Sequence, residues 1–125
     1  MADFETAITL SGADQKDIVL RFLLTERRGM KDEIVVDVTH GEENIGTVKW
    51  QVNYEAKTLT LNLNSLMSGP QAICLAACLG GSIGATLADC LAGAKTASTV
   101  RQCFREHAPG ALVSSVSCVF GCLAV

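Results

Sequence analysis

The sequence predicts an α+β protein, a small N-terminal β-α-β-β-β unit followed by an all-α, cysteine-rich part built as a helical hairpin or three-helix bundle. Three observations carry this. Residues 1–69 hold seven Lys+Arg against eleven Asp+Glu and show period-2 alternation of apolar residues, whereas residues 70–125 hold three and two and repeat small residues at every fourth position. All six cysteines lie between Cys74 and Cys122. Charge is absent from Thr58 to Ala88, and Gly69-Pro70 is the strongest breaker inside that stretch. The boundary is therefore set at Met67–Pro70, dividing an acidic leader-like domain, 1–69, from a hydrophobic domain, 70–125.

Phe4, Thr6, Ile8 and Leu10 alternate with Glu5, Ala7 and Thr9, the pattern of a half-buried strand. Ser11 with Asp14 resembles a capping box. The pairs Ile18/Phe22, Val19/Leu23 and Leu20/Leu24 have i,i+4 spacing, and Arg27-Arg28-Gly29 reads as a cationic last turn closed by a C′ glycine. A helix over 13–28 is expected, with a strand over Asp17–Thr25 as the competing assignment. Glu33–Thr39 reads as a strand and His40–Gly46 as its turn. Val48, Trp50, Val52 and Tyr54 then alternate with polar residues, as do Leu59, Leu61 and Leu63 across Glu55-Ala56-Lys57, which predicts an antiparallel hairpin with Trp50 and Leu61 on the buried face.

In the second half, Pro70 suits the first position of a helix. Ala72, Ala76, Gly80, Gly84, Ala88 and Ala92 recur every fourth residue, beside rows of Leu75, Leu79, Ile83, Leu87, Leu91 and of Cys74, Cys78, Ser82, Thr86, Cys90. The Gly80-x3-Gly84 spacing lets a second helix approach closely. Helices are expected near 71–93, 96–107 (Thr96 as N-cap) and 110–123, with Pro109-Gly110 as a break. The uncharged runs of nineteen residues at Pro70–Ala88 and sixteen at Gly110–Val125 leave a two-span membrane hairpin open.

In an antiparallel helix pair, facing residues have a nearly constant sum of sequence numbers. Cys74 with Cys122 and Cys78 with Cys118 both give 196, and Cys90 with Cys103 gives 193, so one nested arrangement accommodates all six as disulfides. Two alternatives remain at this point: a four-sulfur metal site from Cys74-x3-Cys78 and Cys118-x3-Cys122, although the usual C-x2-C spacing is missing, and thioether links to Ser82, Thr86, Ser114, Ser115 or Ser117. Disulfides need an oxidising compartment, yet Met1–Thr6 lacks the basic start and apolar run of a secretory signal, so either the thiols stay reduced in a cytosol or the chain is exported by another route.

Catalytic constellations are missing, and no enzyme is expected. His40 lies in a turn and His107 at a helix end, and Gly80-Gly81-Ser82-Ile83-Gly84 lacks the Lys-Ser/Thr of a phosphate loop, so no cofactor is expected either. The net charge of -3 excludes a basic nucleic-acid binder, and no nucleic-acid partner is expected.

An acidic, foldable front half joined near a glycine to a hydrophobic, slightly cationic, cysteine-rich tail resembles the precursor of a ribosomally synthesised bacteriocin. Leu63, Leu66, Ser68 and Gly69 resemble the positions before the cut in double-glycine leaders, with Ser68 in place of the usual Gly; Leu79-Gly80-Gly81 is a poorer candidate because cutting there removes Cys74 and Cys78. The nested cysteines are also similar to those of the saposin-like membrane-active fold. The resemblance implies cleavage between Gly69 and Pro70, maturation and export machinery as partners, and secretion after processing of a cytoplasmic precursor. It also implies a disulfide-stabilised antimicrobial tail acting on the lipid membrane of a target cell, with Lys95, Arg101 and Arg105 drawn to its anionic headgroups. The alternatives are a membrane-associated or oligomeric interaction protein and a thiol-based metal carrier.

Overall fold

The structure, a computed structural model, describes residues 3–11, 17–27, 31–64, 70–93 and 96–123. Five strands form one antiparallel meander in the order β1 (Phe4–Ser11), β2 (Asp17–Thr25), β3 (Asp32–His40), β4 (Glu43–Asn53) and β5 (Thr58–Asn64). Two helices follow, α1 (Pro70–Gly93) and α2 (Ala97–Leu123), and pack as a hairpin on one face of the sheet. The architecture is α+β, with a strand over Asp17–Thr25 where a helix over 13–28 is expected, and two helices in place of three; Asp14, Arg28 and Gly29 lie outside the described residues.

Residues 17–25 are extended because their apolar side chains suit both periods. A residue and its fourth neighbour share a face in a strand as in a helix. Ile18, Leu20, Phe22 and Leu24 are buried on the helix-covered side of β2, where Phe22 meets Phe4 edge to face at 6.3 Å, while Val19, Arg21 and Leu23 lie on the open side. Pairing decides between the periods: β2 bonds β1 with Phe4 opposite Leu24 and bonds β3 with Ile18 opposite His40, so both of its edges are satisfied. The apolar rows continue as Ile34, Val36 and Val38 on β3 and as Val48, Trp50 and Val52 on β4.

The turn expected over His40–Gly46 is shorter, with only residues 41 and 42 between β3 and β4. Gly41 has φ 66°, a left-handed conformation that glycine adopts without a Cβ clash, and a register shift at Val38/Thr39 absorbs the extra residue. Lys57, which closes the β4–β5 turn, adopts φ 54° without that freedom. Trp50 is buried as expected and sits opposite Leu61, but Leu61 is 45% exposed because β5 is an edge strand.

The helices present continuous apolar stripes to this sheet. Leu75, Leu79, Ile83, Leu87 and Leu91 on α1 are all buried, as are Val100, Phe104, Ala108, Ala111, Leu112, Val119 and Cys122 on α2. The α2 stripe keeps its phase through Pro109, and for that reason the chain does not break there; Pro109 itself is exposed, so its ring meets no packed neighbour. Thr96 is the N-cap as expected, its Oγ1 accepting from the Thr99 N–H at 3.2 Å. Strand and helix residues belong to one hydrophobic cluster that spans the compositional boundary near residue 69.

Candidate functional site

The six cysteines are paired as Cys74–Cys122, Cys78–Cys118 and Cys90–Cys103, with Cα separations of 5.5, 5.8 and 5.7 Å and none left free. The first two bridges clamp the open end of the hairpin and the third its closed end. Cys103 lies on the same continuous α2 as Cys118 and Cys122, so all three bridges join α1 to α2. With every sulfur in a disulfide, no thiolate remains for a metal, and the described residues contain no group of three or more His, Cys, Asp or Glu able to hold one. Three disulfides point to an extracellular or otherwise oxidising setting.

Gly80 and Gly84 serve a different contact from the one expected. A Cβ built on Gly84 would lie 3.6 Å from Trp50 Nε1, and one on Gly80 would lie 3.6 Å from Leu61 Cδ2. The two glycines therefore seat α1 on β4 and β5 rather than on α2. Gly81, one residue from the first of them, meets nothing within 4 Å.

Two arginines of the tail, Arg101 and Arg105, reach carboxylates of the N-terminal half. Asp32 occupies the apolar row of β3, on the same face as Ile34, Val36 and Val38, and is 1% exposed. A lone carboxylate there would be costly, and it is satisfied from three elements. Arg101 on α2 donates from Nε to Oδ2 at 2.7 Å and from Nη2 to Oδ1 at 3.3 Å. The Tyr54 hydroxyl donates to Oδ2 at 2.5 Å, and the Arg27 backbone N–H donates to Oδ1 at 3.1 Å. Burial pushes the Asp32 carboxyl upward, but these hydrogen bonds and the guanidinium charge outweigh it and hold the group below its ordinary range. Burial and the neighbouring Asp32 carboxylate push the Tyr54 phenol well above its ordinary range, and the Arg101 guanidinium is held charged by Asp32. The same guanidinium lies 5.4 Å from the Tyr54 ring centroid.

One helical turn on, Arg105 Nη2 donates to Glu26 Oε1 at 2.6 Å, and Arg101 Nε lies 3.6 Å from the same oxygen. Glu26 is itself fixed by Asp3, whose Oδ2 accepts from its N–H at 2.6 Å. Two arginines expected at lipid headgroups are thus bound to two carboxylates of the N-terminal half, Asp32 on β3 and Glu26 just after β2. Sequence reading missed Asp32 and Glu26 as partners; the alternation Asp32-Ile34-Val36-Val38 was the available signal, since it places a carboxylate on the buried face. Lys95 and Gly69 lie outside the described residues, and Pro70 is the first residue of α1. His107 sits on the exposed side of a continuous α2 rather than at a helix end.

The opposite face of the sheet is uncovered among the described residues and carries exposed or partly exposed pairs, Arg21 with Glu5 at 3.1 Å and Lys49 with Glu33 at 3.9 Å. One described helix segment, Ile73–Gly93, is long and apolar enough to cross a membrane by length and composition, and a third of its window is buried against the rest of the chain. Compared with known proteins, the chain matches no family model, no curated protein and no solved structure.

Proposed function

We propose that this chain is the precursor of a secreted, membrane-active antimicrobial peptide, non-enzymatic, in which the N-terminal sheet covers the apolar face of a disulfide-stapled helical hairpin until the two are separated. One observation carries the reading: the leucine stripe of α1 and the Val100–Val119 stripe of α2 are buried against the sheet, while all three disulfides lie inside 70–125. A cut between Gly69 and Pro70 would leave the helices stapled to each other and joined to the sheet by no covalent bond. Once parted, the hairpin would offer its Leu/Ile/Val face to a bilayer, with Lys95, Arg101 and Arg105 near anionic headgroups. The maturation and export machinery would act before the tail meets a target membrane.

The test is the intact mass of the product released by a producing cell. A species covering 70–125 and lacking six hydrogens is expected, with dye release from anionic vesicles that is lost on reduction. An uncut chain, or release unchanged by reductant, would refute it. The continuous core supports a second reading, in which the halves stay joined as a membrane-associated or oligomeric interaction protein. The uncut chain is its expected mass.

A further inference from the structure

We propose that Asp32 and Glu26 form an internal latch that occupies the arginine pair of the tail in place of lipid phosphate, so that cleavage alone leaves the hairpin latent and an anionic bilayer is what releases it. This rests on the reading of the hairpin as the membrane-directed part. Arg101 and Arg105 are i,i+4 neighbours on one face of α2, a spacing that lets two guanidiniums bind adjacent oxyanions. Both are already occupied by carboxylates from the other side of the prospective cut, at sequence separations of 69 and 79. A guanidinium binds carboxylate and phosphate with the same forked geometry, so the two anions compete for one site.

Both arginines of the latch can be reached from outside. Glu26 and Arg105 keep 31% and 35% side-chain exposure, so a phosphate can approach them in the assembled protein. Arg101 keeps 28% above the 1% exposed Asp32, so its guanidinium can be approached although the carboxylate beneath it cannot. No disulfide crosses residues 65–69, so after cleavage the sheet is held only by the shared core and this latch. The core contribution is indifferent to lipid charge. Lys95 belongs to the tail in every form, so the part of the lipid dependence that comes through the arginines is the part that responds to Glu26 and Asp32.

The experiment uses the full chain with a protease site placed within residues 65–69, nicked after folding with its disulfides intact. Vesicles are either pure phosphatidylcholine or an equimolar mixture with phosphatidylglycerol, and the readouts are co-sedimentation of the two halves and dye release. The nicked parent should remain a two-chain complex with phosphatidylcholine and yield its hairpin to the anionic vesicles. Glu26→Gln should lower the protein needed for half-maximal release by about tenfold, the size of one weakened charged pair, and Asp32→Asn by about a hundredfold because its pair is buried. Glu26→Gln lies at a partly exposed position and serves as the variant that folds if Asp32→Asn does not. Equal release from both vesicle types, or unchanged thresholds in the variants, overturns the latch while leaving a membrane-active hairpin standing. Absence of sedimentation and release by every nicked form overturns that reading and the latch together.

Discussion

Replacing Gly84 by alanine and by leucine should move stability in opposite directions. Glycine inside a helix costs about 1 kcal/mol relative to alanine, because the unfolded chain loses more backbone freedom on folding. The Cβ of an alanine at 84 would stand 3.6 Å from Trp50 Nε1, an ordinary van der Waals distance, so it fits without displacing the indole. Gly84→Ala should therefore gain about 1 kcal/mol, or roughly 4 °C in Tm for a chain of this length. Leucine adds three further carbons in the direction of a tryptophan that is itself fully packed between β3 and β5. Overfilling of that kind costs about 1–3 kcal/mol, which exceeds the gain in helix propensity. Gly81→Ala is the control: its Cβ meets nothing within 4 Å, so it should show the propensity gain alone. Urea unfolding followed by circular dichroism and by the fluorescence of Trp50, the single tryptophan, reads all three. A Gly84→Leu chain as stable as Gly84→Ala would refute the seating of α1 on Trp50.

Asp32→Asn should destabilise the chain by about 3 kcal/mol, near the lower end for removing one partner of a buried pair because Arg101 keeps partial access to water. Since the Asp32 carboxyl is held below its ordinary range in the folded state, its contribution is full above about pH 4 and is lost as pH falls through the lowered folded value; urea titrations across that range should show the loss in the parent and not in the variant. Tyr54, the single tyrosine, should ionise well above pH 10 in an ultraviolet titration, and stability should fall as pH rises past about 10, where the unfolded chain ionises first. Pro109→Ala should stabilise by up to about 3 kcal/mol, because the exposed ring packs on nothing and the Arg105 carbonyl regains a donor; calorimetry checks this.

The sequence made the β3–β4–β5 meander legible because alternation there admits one period only: Val48, Trp50 and Val52 are separated by polar residues. It left β2 ambiguous because Ile18, Leu20, Phe22 and Leu24 are flanked by Val19 and Leu23, so both faces carry apolar residues and i,i+4 pairs appear in either geometry. Pairing with β1 and β3, a non-local fact, decides the outcome. Local chemistry misled at Pro109-Gly110 too. The spacing of Val100, Phe104, Ala108, Ala111, Leu112 and Val119 keeps one helical stripe through the proline, and burial of that stripe outweighs the lost hydrogen bond. The numbering sum for the cysteines works for the reason that antiparallel helices make it work, with all six on two helices. Gly80 and Gly84 were recognised as close-approach positions, but nothing local could name the sheet as the surface approached. The partners of Arg101 and Arg105 were hidden for the same reason, since they lie more than sixty residues earlier, one on β3 and one just after β2.

The placement of the staples shows which half is reinforced independently of the other. In the loop-entropy account, closing the 48-residue interval of Cys74–Cys122 contributes about 4 kcal/mol, and the 13-residue interval of Cys90–Cys103 about 3 kcal/mol. Cys78–Cys118 then closes a ring of only four residues on each side, which adds less but holds the two helices in fixed rotational phase. The total is on the order of the whole net stability of an ordinary domain. A hairpin whose leucine and phenylalanine stripes are already buried against five paired strands has little need of that much reinforcement. The sheet, whose strands are joined by backbone bonds along every shared edge, carries no staple. The reinforcement is confined to the helical half, and it fixes helix against helix rather than helix against sheet. Such an arrangement would hold the hairpin together without the sheet, and no disulfide crosses the interface where Arg101 and Arg105 meet Asp32 and Glu26.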